Sequence, residues 1–427
     1  MEFFTKIDIP RPDFTIDYTK KLAFFGSCFA DNISAQFSSR KFQVLSNPFG
    51  TVYNPVSLAA QVRAIAEGKV FGEQDVFQDG CWNRGGQKGR GNQDQEYRRA
   101  QDARGPWHCW DAHGSLSGKT REECIGKLNT AAKQAREFLQ QADVVFVTLG
   151  SAFVYSLKGD SSTDGGTCGR VVANCHRQDP SLFTRRMISV DEAAAALKSI
   201  VDSLRRLRQQ DWIPRTARND AGKDSRDMHI VFTISPLRHM ADGAHNNTLS
   251  KATLQLAVDK IAKCGTEIAA VASLPRNDIA SRASAGVYSR ICETQQSCAS
   301  RNDNTHYFPS YEIVMDELRD YRFYADDNVH LSKTAEEYIF ERMVETYCDE
   351  ATRENIARVE KFLKMANHRI VDATSPATAE FQKKLAAQAA SLEKMIPGLA
   401  LNTVYIPKFS SFSFLFSQSG SRVSRSR

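Results

Sequence analysis

The chain has 427 residues, room for one large domain or two ordinary ones, and is 41% hydrophobic, 25% charged and 10% aromatic. That profile excludes a coiled coil, a collagen-like chain and a wholly disordered one, and no window reaches the ~18 consecutive apolar residues of a membrane-spanning helix. The net charge of +6 lies in two places, since residues 83–104 and Ser411–Arg427 each carry a surplus of three positive charges. A nucleic-acid binder carries its basic face on the folded body, so neither nucleic acid nor a membrane is an expected partner.

The opening Met1–Asp8 has no basic segment followed by an apolar core and a cleavage site, so a cytoplasmic location is expected. Ten cysteines run from Cys28 to Cys348 without a Cys-x-x-Cys pair, which reads as reduced thiols. His108, Cys109 and His113 are close together and Cys175 adjoins His176, but neither group has a ligand spacing. No metal is expected.

In chain order, Leu22–Phe25 is a short apolar strand, followed by Gly26, Ser27 and a helix from about Ala30 to Arg40. A strand at Phe42–Leu45 closes on a turn at Asn47–Gly50, and Pro55–Ala66 has helical spacing. The helical stretch 119–141 leads into Val144–Leu149, which is apolar on both faces as a buried parallel strand should be. His229–Ile234 is a second such strand, flanked by helices at Asp191–Arg208 and Leu249–Lys263. Ser332–Tyr347 is amphipathic. Strands alternating with helices predict an α/β fold whose parallel sheet is covered on both sides.

Polar stretches at 83–104, 159–169, 216–227 and 265–304 read as loop insertions into an α/β domain spanning 1–370. Residues 371–427 read as an extension with one helix, Thr378–Lys394, and a Ser/Arg tail. The segment 83–104 and the tail from Ser411 are polar enough to be mobile and dispensable for folding. Gly85, Gly86, Gly89 and Gly91 fall in the first insertion rather than between a strand and a helix, so no nucleotide or redox cofactor is expected.

Ser27 sits after a strand and before a helix, at the sheet edge where open α/β proteins bind ligands. Its ordinary role there would be a helix cap. Asp327 and His330 have the three-residue spacing that lets a carboxylate hold an imidazole as a base. His176 and His239 follow strands and should emerge on the same edge as substrate contacts, whereas His108, His113, His229, His245, His306 and His368 carry no argument beyond presence.

Gly26-Ser27-Cys28-Phe29-Ala30 spells the motif of the GSCFA-domain family, a bacterial branch that resembles the SGNH/GDSL hydrolases. Asn47–Pro55, Val171–His176, Thr233–His239 and Tyr307–Tyr324 resemble that family in the same order, over about residues 1–370. The resemblance implies a three-layer α/β/α sandwich in which Ser27 is the nucleophile, His330 the base and Asp327 its orienting partner. Gly50 looks like the glycine whose N–H joins that of Ser27 in the oxyanion hole, and Gly150 like the third-block glycine. The superfamily's Gly-x-Asn-Asp is here Gly150-Ser151-Ala152-Phe153, so Asn174, with His176 as second choice, is expected to supply the missing donor. The function implied is hydrolysis of an ester of a carbohydrate or small metabolite. An acyltransferase on the same fold, and a binding module with a vestigial triad, are the alternatives.

Overall fold

The computed structural model describes residues 6–79, 105–158, 169–210, 228–262, 304–368 and 375–401. The four insertions, apart from Gly169 and Asn304 at their margins, and the tail from Ser411 lie outside the described residues. The chain divides into two compact units, Met1–Arg353 and Glu354–Arg427.

The first unit contains β1 (Lys21–Gly26), α1 (Cys28–Ser39), β2 (Gln43–Ser46), α2 (Pro55–Glu67), β3 (Phe77–Gln78), β4 (Trp107–His108) and α3 (Arg121–Leu139). There follow β5 (Val144–Leu149), β6 (Phe153–Leu157), β7 (Val171–Val172), β8 (Phe183–Met187), α4 (Val190–Gln210), β9 (His229–Ile234) and α5 (Ala244–Ala262). β10 (Thr305–Phe308) and α6 (Lys333–Tyr347) complete it, and α7 (Glu350–Ala366) crosses into the second unit, which holds α8 (Pro376–Met395). Within that second unit the Ser375 hydroxyl accepts from the Thr378 N–H at 3.1 Å, capping α8.

The main sheet has the order β10-β9-β5-β1-β2 and every pairing in it is parallel. Numbering only its own strands, that is 2-1-3-4-5, a doubly wound order whose switch point lies between β1 and β5. Ligands of such sheets bind outside the carboxyl ends of the strands at that point. β6, β7 and β8 form a separate antiparallel sheet, and β3 pairs with β4.

Alternation along the strands sorts side chains to two faces. Ala23, Phe25, Val145, Val147, Ile230 and Phe232 join one buried cluster with Leu58 and Val62 of α2, Leu128 of α3, Leu197 and Ile200 of α4 and Leu254 of α5. On the other face Phe24 stacks on Phe146 at 4.7 Å, and Phe37 of α1 packs edge-on to Phe340 of α6 at 4.9 Å. Each ring contributes roughly 1.5–3 kcal/mol by leaving water.

Helix ends follow the local chemistry. Asn54 Oδ1 accepts the Ser57 N–H at 2.8 Å and Pro55 fills the first position of α2. Thr120 caps α3 through the Glu123 N–H at 3.1 Å. The N-terminal arm is held by a buried pair, Glu317 with Arg342. Glu317 accepts from the Ile7 N–H at 2.6 Å, and Arg342 donates to the Ile7 carbonyl at 2.5 Å. Further along the arm, the Ile16 N–H donates to the Tyr347 carbonyl at 2.8 Å.

Candidate active site at the carboxyl edge of the sheet

β1 ends on Gly26 at φ +127°, and a Cβ there would stand 1.9 Å from the Thr148 carbonyl oxygen of β5. Only glycine lets β1 finish so close to β5. Ser27 comes next, 1% exposed, in the capping position of α1. Its side chain makes no cap bond, so the ordinary expectation for a serine there is not met. The hydroxyl is buried and has no hydrogen-bond partner among the described residues. Leaving a hydroxyl so costs about 1–3 kcal/mol.

The turn at Asn47–Gly50 is locked to this corner. Asn47 Oδ1 accepts the Gly26 N–H at 2.8 Å, while Asp31 of α1 accepts from Ser46 and Asn47 at 2.8 Å and from Thr51 at 3.1 Å. Gly50, at φ +80°, faces the His113 side chain, where a Cβ would come to 2.2 Å. Its N–H donates to the Asn47 carbonyl at 2.7 Å, and the Ser27 N–H donates to Thr148 O at 3.3 Å. Both N–H groups assigned by resemblance to an oxyanion hole are therefore engaged within the scaffold here.

Gly150 closes the other side of the corner. A Cβ on it would lie 2.9 Å from the Tyr53 ring and 3.4 Å from Ser27 Cβ, so the bare backbone leaves room for Tyr53 beside Ser27. The N–H groups of Gly150 and Ser151 both donate to the Tyr53 carbonyl, at 2.8 and 2.9 Å. Beneath it lies Lys251 of α5, 2% exposed, whose Nζ donates to the carbonyls of Gly150 and Ser235 at 2.7 Å each. Burial lowers the ammonium to about 7, with the Cys28 and Asp242 charges opposing and Arg238 assisting.

Two histidine–aspartate pairs occur around this edge. His330 Nδ1 meets Asp327 Oδ2 at 2.6 Å, and Asp327 Oδ1 accepts the N–H groups of Val329 and His330 at 2.9 Å. The His330 bond and then those N–H bonds hold the Asp327 carboxyl down at about 2. Both side chains are about half exposed (55% and 51%), and neither bonds to Ser27. Asn32, in the second turn of α1, donates to Glu336 of α6 at 2.5 Å, so the helix after His330 begins beside the helix after Ser27.

The second pair is His239 Nδ1 with Asp242 Oδ1 at 3.2 Å. The His239 ring lies 6.1 Å from the Tyr53 ring, and the buried Asp242 also binds Arg185. His176 is elsewhere. Its Nε2 contacts the Cys109 carbonyl at 2.7 Å, and its ring packs on His108 at 4.5 Å and on Phe77 at 5.7 Å. Burial lowers it to about 4. Asn174 Oδ1 accepts the His176 N–H at 2.7 Å, so Asn174 fastens its own turn. Among the described residues, neither bonds to the Ser27 hydroxyl.

The structure thus gathers Ser27, Gly150 and Tyr53 into one corner with His239 beside it, joins Asp327 to His330, and leaves Asn174 and His176 in a neighbouring cluster. Residues 21–272 and 279–343 match the GSCFA family. The chain belongs to the GSCFA family. No curated protein and no solved structure matches it. The GSCFA match takes in Ser27, Gly50, Gly150, Lys251, Asp327 and His330. No helix among the described residues is long and apolar enough to cross a membrane.

Sequence reasoning passed over Lys251, although a signal was there. Asn247, Lys251, Leu254 and Val258 follow a 4-3-4 spacing along the buried face of α5, and a lysine on such a stripe needs an internal acceptor. Lys251→Met should strand the Gly150 and Ser235 carbonyls, at about 1–3 kcal/mol each, measurable by urea unfolding. The pH dependence carries the sign. An unfolded lysine holds its proton up to ~10.4, whereas folded Lys251 releases it near 7, so wild-type stability should rise with pH between ~7 and ~10. Lys251→Met should flatten that rise. An unchanged slope would show that Lys251 does not release its proton on folding.

Proposed function

We propose that this GSCFA protein is an SGNH-type serine hydrolase of ester bonds, with the three-layer α/β/α sandwich of that superfamily. The observation that carries the reading is the buried, unpartnered Ser27 hydroxyl at the switch point of a 2-1-3-4-5 sheet. Ser27 Oγ attacks the ester carbonyl carbon while its proton passes to His330 Nε2, and the alcohol leaves with that proton. Water, deprotonated in turn by His330, releases the acyl group from Ser27. Asp327, held ionised, fixes the imidazole through Nδ1. The first turn of α1, whose N–H groups lack intrahelical acceptors, offers the positive end of a helix to the developing oxyanion. His330 must turn toward Ser27 when substrate binds, as catalytic hydrogen bonds often tighten only in the complex.

The binding-module reading rests on a specific observation too: Ala152 stands where a donor asparagine would be, and the described structure has no Ser27–His330 bond. Labelling with a fluorophosphonate separates the two. Stoichiometric labelling of the folded protein that vanishes in Ser27→Ala supports the hydrolase, and no labelling of folded wild type supports the binding module.

A further inference from the structure

At the opposite end of the sheet, three residues remote in sequence meet at the amino ends of β9 and β10. His229 Nδ1 and His306 Nε2 are 3.1 Å apart, and an Asp13 carboxylate oxygen lies within 4.8 Å of both. The rings are inclined at 41° with centroids 5.3 Å apart. Phe14 stacks on His229 at 4.0 Å and packs on His306 at 5.0 Å, which limits how far either ring can turn.

We propose that Asp13, His229 and His306 form a binding site for a divalent transition-metal ion that fastens the N-terminal arm to the sheet. With metal–nitrogen bonds of ~2.05 Å, a 3.1 Å separation of the nitrogens subtends about 98° at the ion, close to a tetrahedral angle. Two imidazoles and one carboxylate suit zinc and its neighbours, with a further position left for water. The site draws its ligands from the arm, β9 and β10, and so ties together segments that no turn connects. It stands apart from the proposed hydrolase centre, at the other end of strands ~20 Å long.

The test uses the full chain, stripped with a chelator and titrated with zinc by calorimetry. The expected result is one ion per chain bound at ~1 μM or tighter, with zinc raising the melting temperature. Asp13→Ala and His306→Gln should each weaken binding by at least ~10–100-fold and abolish the thermal shift. Asp13 is exposed, so that variant keeps its fold whatever His306→Gln does. Binding no tighter than ~1 mM would mean a hydrogen-bonded histidine pair only, and zinc affinity unchanged in Asp13→Ala would place the ion elsewhere. Either result overturns the proposal.

Discussion

On an ester that the protein turns over, Ser27→Ala and His330→Ala should each remove nearly all catalysis, by ~10⁴–10⁶-fold in kcat, with the circular dichroism spectrum unchanged. Nucleophile and base act as a unit, so the double variant should be little worse than either single one. The prediction has a built-in rival, because the edge carries a second imidazole in His239, also paired to an aspartate. His239→Ala should lower turnover far less than His330→Ala. The reverse ranking would move the base to His239 and leave Asp327–His330 as a surface turn. Asp327, held at about 2, stays ionised across the usual assay range, so its titration is not the source of any loss of activity on mild acidification.

Gly26→Ala should yield little or no folded protein. A Cβ at this position meets backbone atoms, Thr148 O at 1.9 Å and Thr148 C at 2.8 Å, and φ +127° is foreign to L residues in its own right. Thr148 cannot retreat, since β5 is paired on one side with β1 and on the other with β9. Strain of this kind belongs with the exceptional losses above ~4 kcal/mol. Gly126→Ala is the control. That glycine lies in α3 with nothing within 4 Å of a built Cβ, so alanine should stabilise by ~0.5–1 kcal/mol. If Gly26→Ala unfolded in urea like wild type, β1 would not end against β5 as described.

The legibility of the fold followed burial. Val144–Leu149 and His229–Ile234 are continuous apolar runs because both faces of those strands are covered, and the sequence reading placed them at the observed residues. β10 went unread because Thr305–Phe308 is short, polar at its start and at the sheet's edge. The β6–β8 sheet escaped because Phe183–Met187 is exposed over four of its five residues, leaving no hydrophobic signature. The Asp327–His330 bond was legible in a three-residue spacing, and the place of Ser27 between β1 and α1 in the motif around it. Lys251 and the His229–His306 pair were not, since a lysine in a helix ordinarily faces water and the two histidines lie 77 residues apart. The Asn174 expectation came from a missing donor rather than from any packing force, and what the structure shows of that side chain is its oxygen accepting the His176 N–H.

The salt bridge between Glu317 and Arg342 sets a timetable for the protein's birth on the ribosome. Ile7 and Ile16 are made about 300 residues ahead of their partners Glu317, Arg342 and Tyr347. At ~5–20 residues per second, the segment that holds them waits ~15–70 s before the chain that receives it has been made. Throughout that interval β1 can pair with β2 and then β5, while the Ile16 side chain, fully buried in the finished protein, stays in water. A nascent chain stalled shortly before Glu317 should therefore present the Ile7–Ile16 segment to proteases and chaperones, and one extended past Tyr347 should hide it.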